Sequence, residues 1–209
     1  MKDKVDYSLY LVTDRDILGD RDLCTAMEEA ILGGVSIIQL REKNISSLDF
    51  YNSALKVKKV TDKYNIPLII NDRLDIALAI DAAGVHLGQS DLPCEIARKI
   101  LGENKILGIS TATLEEAVLA KKQGADYLGV GAMFSTSTKL NTRSVSISTL
   151  KEIKNTVNIP VVAIGGINHA NYKKLIPTNI EGFAVVSAIL GQDNIKLASQ
   201  KFLDCPQSF

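Results

Sequence analysis

Two aspartates, Asp72 and Asp91, carry the most suggestive chemistry in this 209-residue chain, each following a short apolar run. Carboxylates that approach one another raise each other's pKa unless a cation sits between them. One or two carboxylates, completed by phosphate oxygens and water, make a typical Mg²⁺ site. Taken singly, Asp72 also reads as a helix cap and Asp91 as the start of a turn before Pro93. Arg41, Lys43 and Lys139 follow other apolar runs in the same way. Three cations beside an acid pair suit the stabilisation of a departing pyrophosphate. Arg41 could grip two oxygens bidentately, with the lysines acting as point charges.

A second anion site is implied further along. Gly165-Gly166 closes the run 159–164, and glycines let backbone N–H groups approach an anion closely. Val186-Ser187 ends another run just before a helical segment, where unpaired N–H groups point outward. Read otherwise, the two glycines merely reverse the chain. His86, between these regions, suits either an orienting hydrogen bond or a structural role. His169 reads as a surface residue at a helix start.

The elements that must position these groups alternate regularly. Strand candidates fall at 8–12, 36–40, 67–70, 84–87, 105–109, 127–130, 159–164 and 182–186. Helical periodicity appears near 21–33, 48–64, 74–82, 93–101, 113–123, 147–156, 169–176 and 189–203. Ser46 or Ser47, Thr113 and Ser148 are expected caps, while Gly33-Gly34, Gly102 and Gly124 are expected stops. Eight such units predict an α/β fold, a single (β/α)₈ TIM barrel over 1–209. No G-x-G-x-x-G follows the first strand, so an open dinucleotide-binding sheet is disfavoured. In a barrel of this kind the site lies at the C-terminal ends of the strands, where all these polar groups fall. The Ser/Thr-rich stretch 131–146 lacks a helical stripe and is expected to be an active-site lid loop.

Bulk properties exclude other classes. Twenty-four basic and twenty-four acidic side chains cancel, so no global field favours nucleic acid or an anionic membrane. The longest apolar runs are far below the roughly 20 residues needed to cross a bilayer. Cys24, Cys94 and Cys205 are odd in number and scattered, which, with no signal-peptide pattern, predicts reduced thiols in the cytoplasm. A homo-oligomer is compatible with a barrel's outer surface, although no apolar stripe singles out an interface.

Six segments in order carry a specific resemblance: Gln39-Leu40-Arg41-Glu42-Lys43, Asn71-Asp72-Arg73, His86-x-Gly88-Gln89-x-Asp91, Gly108-x-Ser110, Thr136-x-Thr138-Lys139 and Gly165-Gly166-Ile167. Together, over 10–189, they resemble the thiamine phosphate synthase family. The resemblance implies that Gln39, Leu40, Arg41, Glu42, Lys43, Asn71, Ser110 and Lys139 hold a pyrimidine pyrophosphate. Within that set Arg41, Lys43, Ser110 and Lys139 would act in catalysis, with Asp72 and Asp91 on Mg²⁺. Thr136, Ser137 and Thr138, with Gly165 or Gly166 and Val186-Ser187, would bind a thiazole phosphate. The implied reaction releases pyrophosphate first, leaving a pyrimidine-methyl cation that the thiazole nitrogen captures. Such a step needs leaving-group stabilisation and water exclusion more than a general base. Ala132 and Ser135 stand where the family often carries proline, which predicts a more mobile loop. A thiazole tautomerase shares the expected fold but does not need Arg41, Lys43, Asp72 and Asp91 together. A phosphosugar-handling barrel has support only from the last two loops. A non-catalytic thiazole phosphate-binding protein would be favoured by loss of the acid pair or Lys139, and neither is lost.

Overall fold

The computed structural model describes residues 5–135 and 143–203. Eight parallel strands pair in sequence order and close into a barrel, as the alternation predicted. They are β1 (Leu9–Val12), β2 (Ile37–Leu40), β3 (Leu68–Asn71), β4 (Gly84–Leu87), β5 (Ile106–Thr111), β6 (Tyr127–Val130), β7 (Val161–Ile164) and β8 (Gly182–Val185). Register is continuous round the closure, with Tyr10 opposite both Ile37 and Ala184.

Because side chains alternate along a strand, each strand feeds two cores. Leu9, Leu11, Ile38, Leu40, Ile70, Val85 and Leu128 join the larger cluster under the helices. Tyr10, Val12, Ile37, Ile69, Ile106, Tyr127, Val162 and Ala184 fill the barrel interior. The same alternation turns Gln39, Asn71, His86 and Ser110 inward at the C-terminal ends of β2 to β5. A one-residue slip would exchange these polar groups for leucines and isoleucines.

The long helices follow their caps. Asp22 caps α2 (Leu23–Leu32), Ser46 caps α3 (Ser47–Lys63) and Thr113 caps α6 (Leu114–Lys122), each accepting a backbone N–H three residues on. Between them lie α4 (Leu74–Ala79) and α5 (Cys94–Leu101). Ahead of α7 (Ile147–Thr156) the cap is Ser146, not Ser148, whose hydroxyl instead hydrogen-bonds to that of Ser146 at 2.7 Å. A one-turn helix, α1 (Arg15–Leu18), was not anticipated, although Asp14 caps it in the usual way.

Two expected helices differ. The 169–176 segment forms two 3₁₀ turns, Tyr172–Lys174 and Ile176–Thr178. Pro177 lacks the N–H that an α-helix running through it would need. The terminal segment splits at Gly191 into α8 (Ser187–Leu190) and α9 (Ile195–Gln200), the second capped by Asn194. His169 is half-buried rather than superficial: Nε2 lies 2.8 Å from the Ala198 carbonyl and its ring stacks on Phe202. Among the described residues no helix is long and apolar enough to cross a membrane. Cys24 and Cys94 are free thiols, and Cys205 lies outside the described residues.

Candidate active site

The site begins where β2 ends. Thr13 Oγ1 accepts the Arg41 N–H at 2.9 Å, which fixes the backbone just beyond the strand. The Arg41 guanidinium then donates to Asp14 at 2.9 Å, so the carboxylate that caps α1 also aims the arginine. Asp14 was missed from the sequence, because its role depends on β1 and β2 lying side by side.

The neighbouring motif residues divide by face. Gln39 is buried and inward, and its Nε2 donates to Tyr10 Oη at 2.8 Å. Leu40 is fully buried against the helices, so its side chain faces away from the mouth. Glu42 turns its carboxylate to Arg15, and its side chain is 3% exposed. Of the five residues 39–43 expected at the pyrophosphate, Leu40 and Glu42 turn their side chains to these other partners.

Lys43 forms an ion pair with Asp72. Asp72 sits just past β3 at φ 62°, a left-handed conformation that aspartate tolerates better than most residues, and its N–H donates to the His86 carbonyl at 2.9 Å. Arg73 turns elsewhere, pairing with Asp75 and donating to Ser47. Asp91 closes a turn after β4, accepting the Gly88 N–H at 2.7 Å. The two carboxyls meet. Burial pushes Asp72 up, but hydrogen bonds from Lys43 and Asp91 outweigh it and hold the group below its ordinary value. Asp91 is raised by burial and by the Asp72 charge, against the opposing Gly88 N–H. The Asp72 charge thus opposes ionisation of Asp91, a repulsion that a bound cation would relieve.

This donor set suits a hard divalent ion that takes few protein ligands. Among the described residues no group of three or more His, Cys, Asp or Glu side chains could hold a metal. Mg²⁺ needs no such cage when phosphate oxygens and water complete its shell.

Ser110, at the end of β5, lies 2.9 Å from His86 Nε2, while its carbonyl accepts the Gln89 side-chain amide at 2.7 Å. His86 Nδ1 lies 2.9 Å from Tyr127 Oη, which is 2.7 Å from Tyr10 Oη. The histidine is therefore built into a buried polar chain. Gly108 makes this possible, since a Cβ there would meet the Tyr127 hydroxyl at 2.4 Å. Tyr10 and Tyr127 were legible only as strand residues. The signal was an aromatic hydroxyl at an inward position, set for Tyr127 opposite Gly108.

The opposite rim is made of backbone. Gly165 and Gly166 adopt φ 99° and 64° after β7. A Cβ on Gly165 would meet Ala132 Cα at 2.6 Å, and one on Gly166 would meet the Ser135 carbonyl oxygen at 2.4 Å. Met133 and Phe134 N–H groups donate to the Ile164 and Gly165 carbonyls at 3.0 Å each. So the glycines also seat the stem of the loop after β6, a reason the sequence reading lacked. Ala132 exchanges backbone hydrogen bonds with Arg143 and Val145, and Arg143 pairs with Glu116. Thr136, Ser137, Thr138 and Lys139 lie outside the described residues. Val186 is half-buried and Ser187 exposed at the start of α8.

A closed parallel barrel with an acid pair, cations and a glycine turn at the C-terminal rim defines a phosphate-handling barrel enzyme. The family model described as thiamine monophosphate synthase matches residues 9–189. Thiamine-phosphate synthase of Clostridium tetani is 62% identical over 197 residues, covering 94% of each chain. That of Alkaliphilus oremlandii is 60% identical, again with 94% of each chain covered. A solved thiamine phosphate pyrophosphorylase from Pyrococcus furiosus superposes with a TM-score of 0.88 at 38% identity, over 96% of this chain and 95% of that one. The chain belongs to the thiamine monophosphate synthase family and is a transferase of thiamine biosynthesis.

Proposed function

We propose that the chain joins 4-amino-2-methyl-5-(diphosphooxymethyl)pyrimidine to 4-methyl-5-(2-phosphooxyethyl)thiazole, giving thiamine phosphate and pyrophosphate. The observation that carries the assignment of roles is the meeting of Asp72 with both Lys43 and Asp91 at the barrel mouth. A lone acid–base pair there would be structural. An acid pair in which one carboxyl is raised by the charge of the other is a place for a cation and its phosphate ligand.

In this reading Asp72 and Asp91 hold Mg²⁺, which when bound neutralises charge on the departing pyrophosphate. Arg41, held by Asp14, grips the diphosphate, and Lys43 exchanges its contact with Asp72 for a phosphate oxygen. Gln39, Asn71 and Ser110 face inward and orient the pyrimidine, with Lys139 completing the cationic side. The bond from the pyrimidine methylene carbon to the diphosphate oxygen breaks first, leaving a pyrimidine-methyl cation. The thiazole nitrogen then donates its electron pair to that carbon. No proton needs to be removed, so the step asks the site for leaving-group stabilisation and water exclusion rather than for a general base. Gly165-Gly166, Val186-Ser187 and residues 136–138 are the proposed cradle for the thiazole phosphate, with 131–146 as the loop that covers it. The free thiols Cys24 and Cys94 support the cytoplasm as the compartment.

Incubating both substrates with Mg²⁺, and again with EDTA, tests this directly. Thiamine phosphate should form only with the metal. Absence of product in both tubes refutes the reading.

A further inference from the structure

The buried chain Gln39–Tyr10–Tyr127–His86–Ser110 runs across the barrel interior through five strands, with every link between 2.7 and 2.9 Å. Its inner members are 7% exposed or less, so each hydrogen needs an acceptor. Its direction follows by elimination. Gln39 Nε2 can only donate, and it donates to Tyr10 Oη. The other partner of that hydroxyl is Tyr127 Oη, so the Tyr10 proton points there. Tyr127, having accepted, passes its own proton to His86 Nδ1. Burial holds both tyrosines above their ordinary pKa, so each keeps the single proton this sequence of donations requires. With Nδ1 an acceptor, the ring proton resides on Nε2 and is donated to Ser110 Oγ. The Ser110 hydroxyl proton is then directed out of the chain, toward the mouth.

Resting on the function proposed above, we infer that Tyr127 is a positioning residue: it fixes the Nε2–H tautomer of His86 and thereby makes Ser110 a hydrogen-bond donor to an acceptor atom of the pyrimidine pyrophosphate. The space for this is specific. Gly108 leaves room for the tyrosine hydroxyl, and a Cβ on Gly129 would meet His86 Cε1 at 3.0 Å. Tyr10 has a different part. It supplies a proton to Tyr127 but is not needed for Tyr127 to donate onward.

The chain contains two histidines, so ¹⁵N-histidine labelling of the whole protein, with His169→Gln for assignment, reads the tautomer without substrate. The wild type should show an acceptor-type Nδ1 and a protonated Nε2 on His86; a proton on Nδ1 overturns the inference, whatever the enzyme turns over. Tyr127→Phe should release that preference, and Tyr10→Phe should retain it. An unchanged tautomer in Tyr127→Phe contradicts the direction of donation, and a lost one in Tyr10→Phe contradicts Tyr127 as the residue that fixes it. In steady-state assays Tyr127→Phe should raise the KM for the pyrimidine pyrophosphate about tenfold and leave that for the thiazole phosphate unchanged. Equal rises in both KM values would mark a merely structural role. Should Tyr127→Phe not fold, the wild-type and Tyr10→Phe spectra still decide. Failure of the wild-type enzyme to make thiamine phosphate would remove the proposed function, while the spectra would still judge the tautomer.

Discussion

The two halves of the barrel mouth are built on different principles. On the β2–β5 side, charged groups are paired before any ligand arrives: Arg41 with Asp14, Lys43 with Asp72, and Asp72 with Asp91. On the β7–β8 side, shape comes from backbone, with Gly165 and Gly166 at positive φ against the 132–135 segment. A substrate on the first side must exchange partners, so removing one member leaves another unpaired in a partly buried place. Among the described residues the second side has little charge to strand. What matters there is that no Cβ intrudes.

Substitutions can break this contrast, and the largest effect is expected at the acid pair. Asp91→Ala should abolish thiamine phosphate formation while thiazole phosphate binding, followed by calorimetry, survives. Undiminished turnover in that variant would refute the metal assignment. Next comes Gly166→Val. Placing a side-chain residue at φ 64° costs about 1–2 kcal/mol before any clash, so the melting temperature should fall. The KM for the thiazole phosphate should rise far more than that for the pyrimidine pyrophosphate, and an unchanged value would count against this cradle. Arg41→Lys should be milder, with roughly a tenfold rise in pyrimidine pyrophosphate KM from loss of the bidentate grip. Asp14→Asn should act in the same direction, through the arginine it aims. A comparable rise in thiazole phosphate KM for either variant would dissolve the distinction between the halves. The smallest effect belongs to Arg143→Ala: its pair with Glu116 has an arginine side chain 57% exposed, and its loss should cost less than about 1 kcal/mol in chemical denaturation.

Much of this was legible in the sequence because it depends on period and local chemistry. All eight strands fall within a few residues of their expected positions, since runs such as 67–70 and 159–164 are buried on both faces and read as continuous apolar stretches. The misjudged helices lie where a local breaker overrides periodicity, at Pro177 and Gly191. Asp72, Asp91, Arg41 and Lys43 could be grouped because a parallel barrel sends every strand end to one rim. Thr136, Thr138 and Lys139 follow β6 on the same logic, Ser137 enters only through the family resemblance, and all four lie outside the described residues.

By itself, then, the sequence determined the barrel, the rim on which chemistry can occur, and the family. Tertiary structure alone decided which members of each motif face the mouth. Leu40 and Gln39 are adjacent in the chain but separated by the sheet itself, because successive side chains on a strand point to opposite faces. It alone also joined Asp14 to Arg41 and Tyr127 to His86, residues 27 and 41 positions apart. Such pairs carry no local pattern. They become neighbours only when the sheet closes, because the register of the strands sets which side chains share the interior.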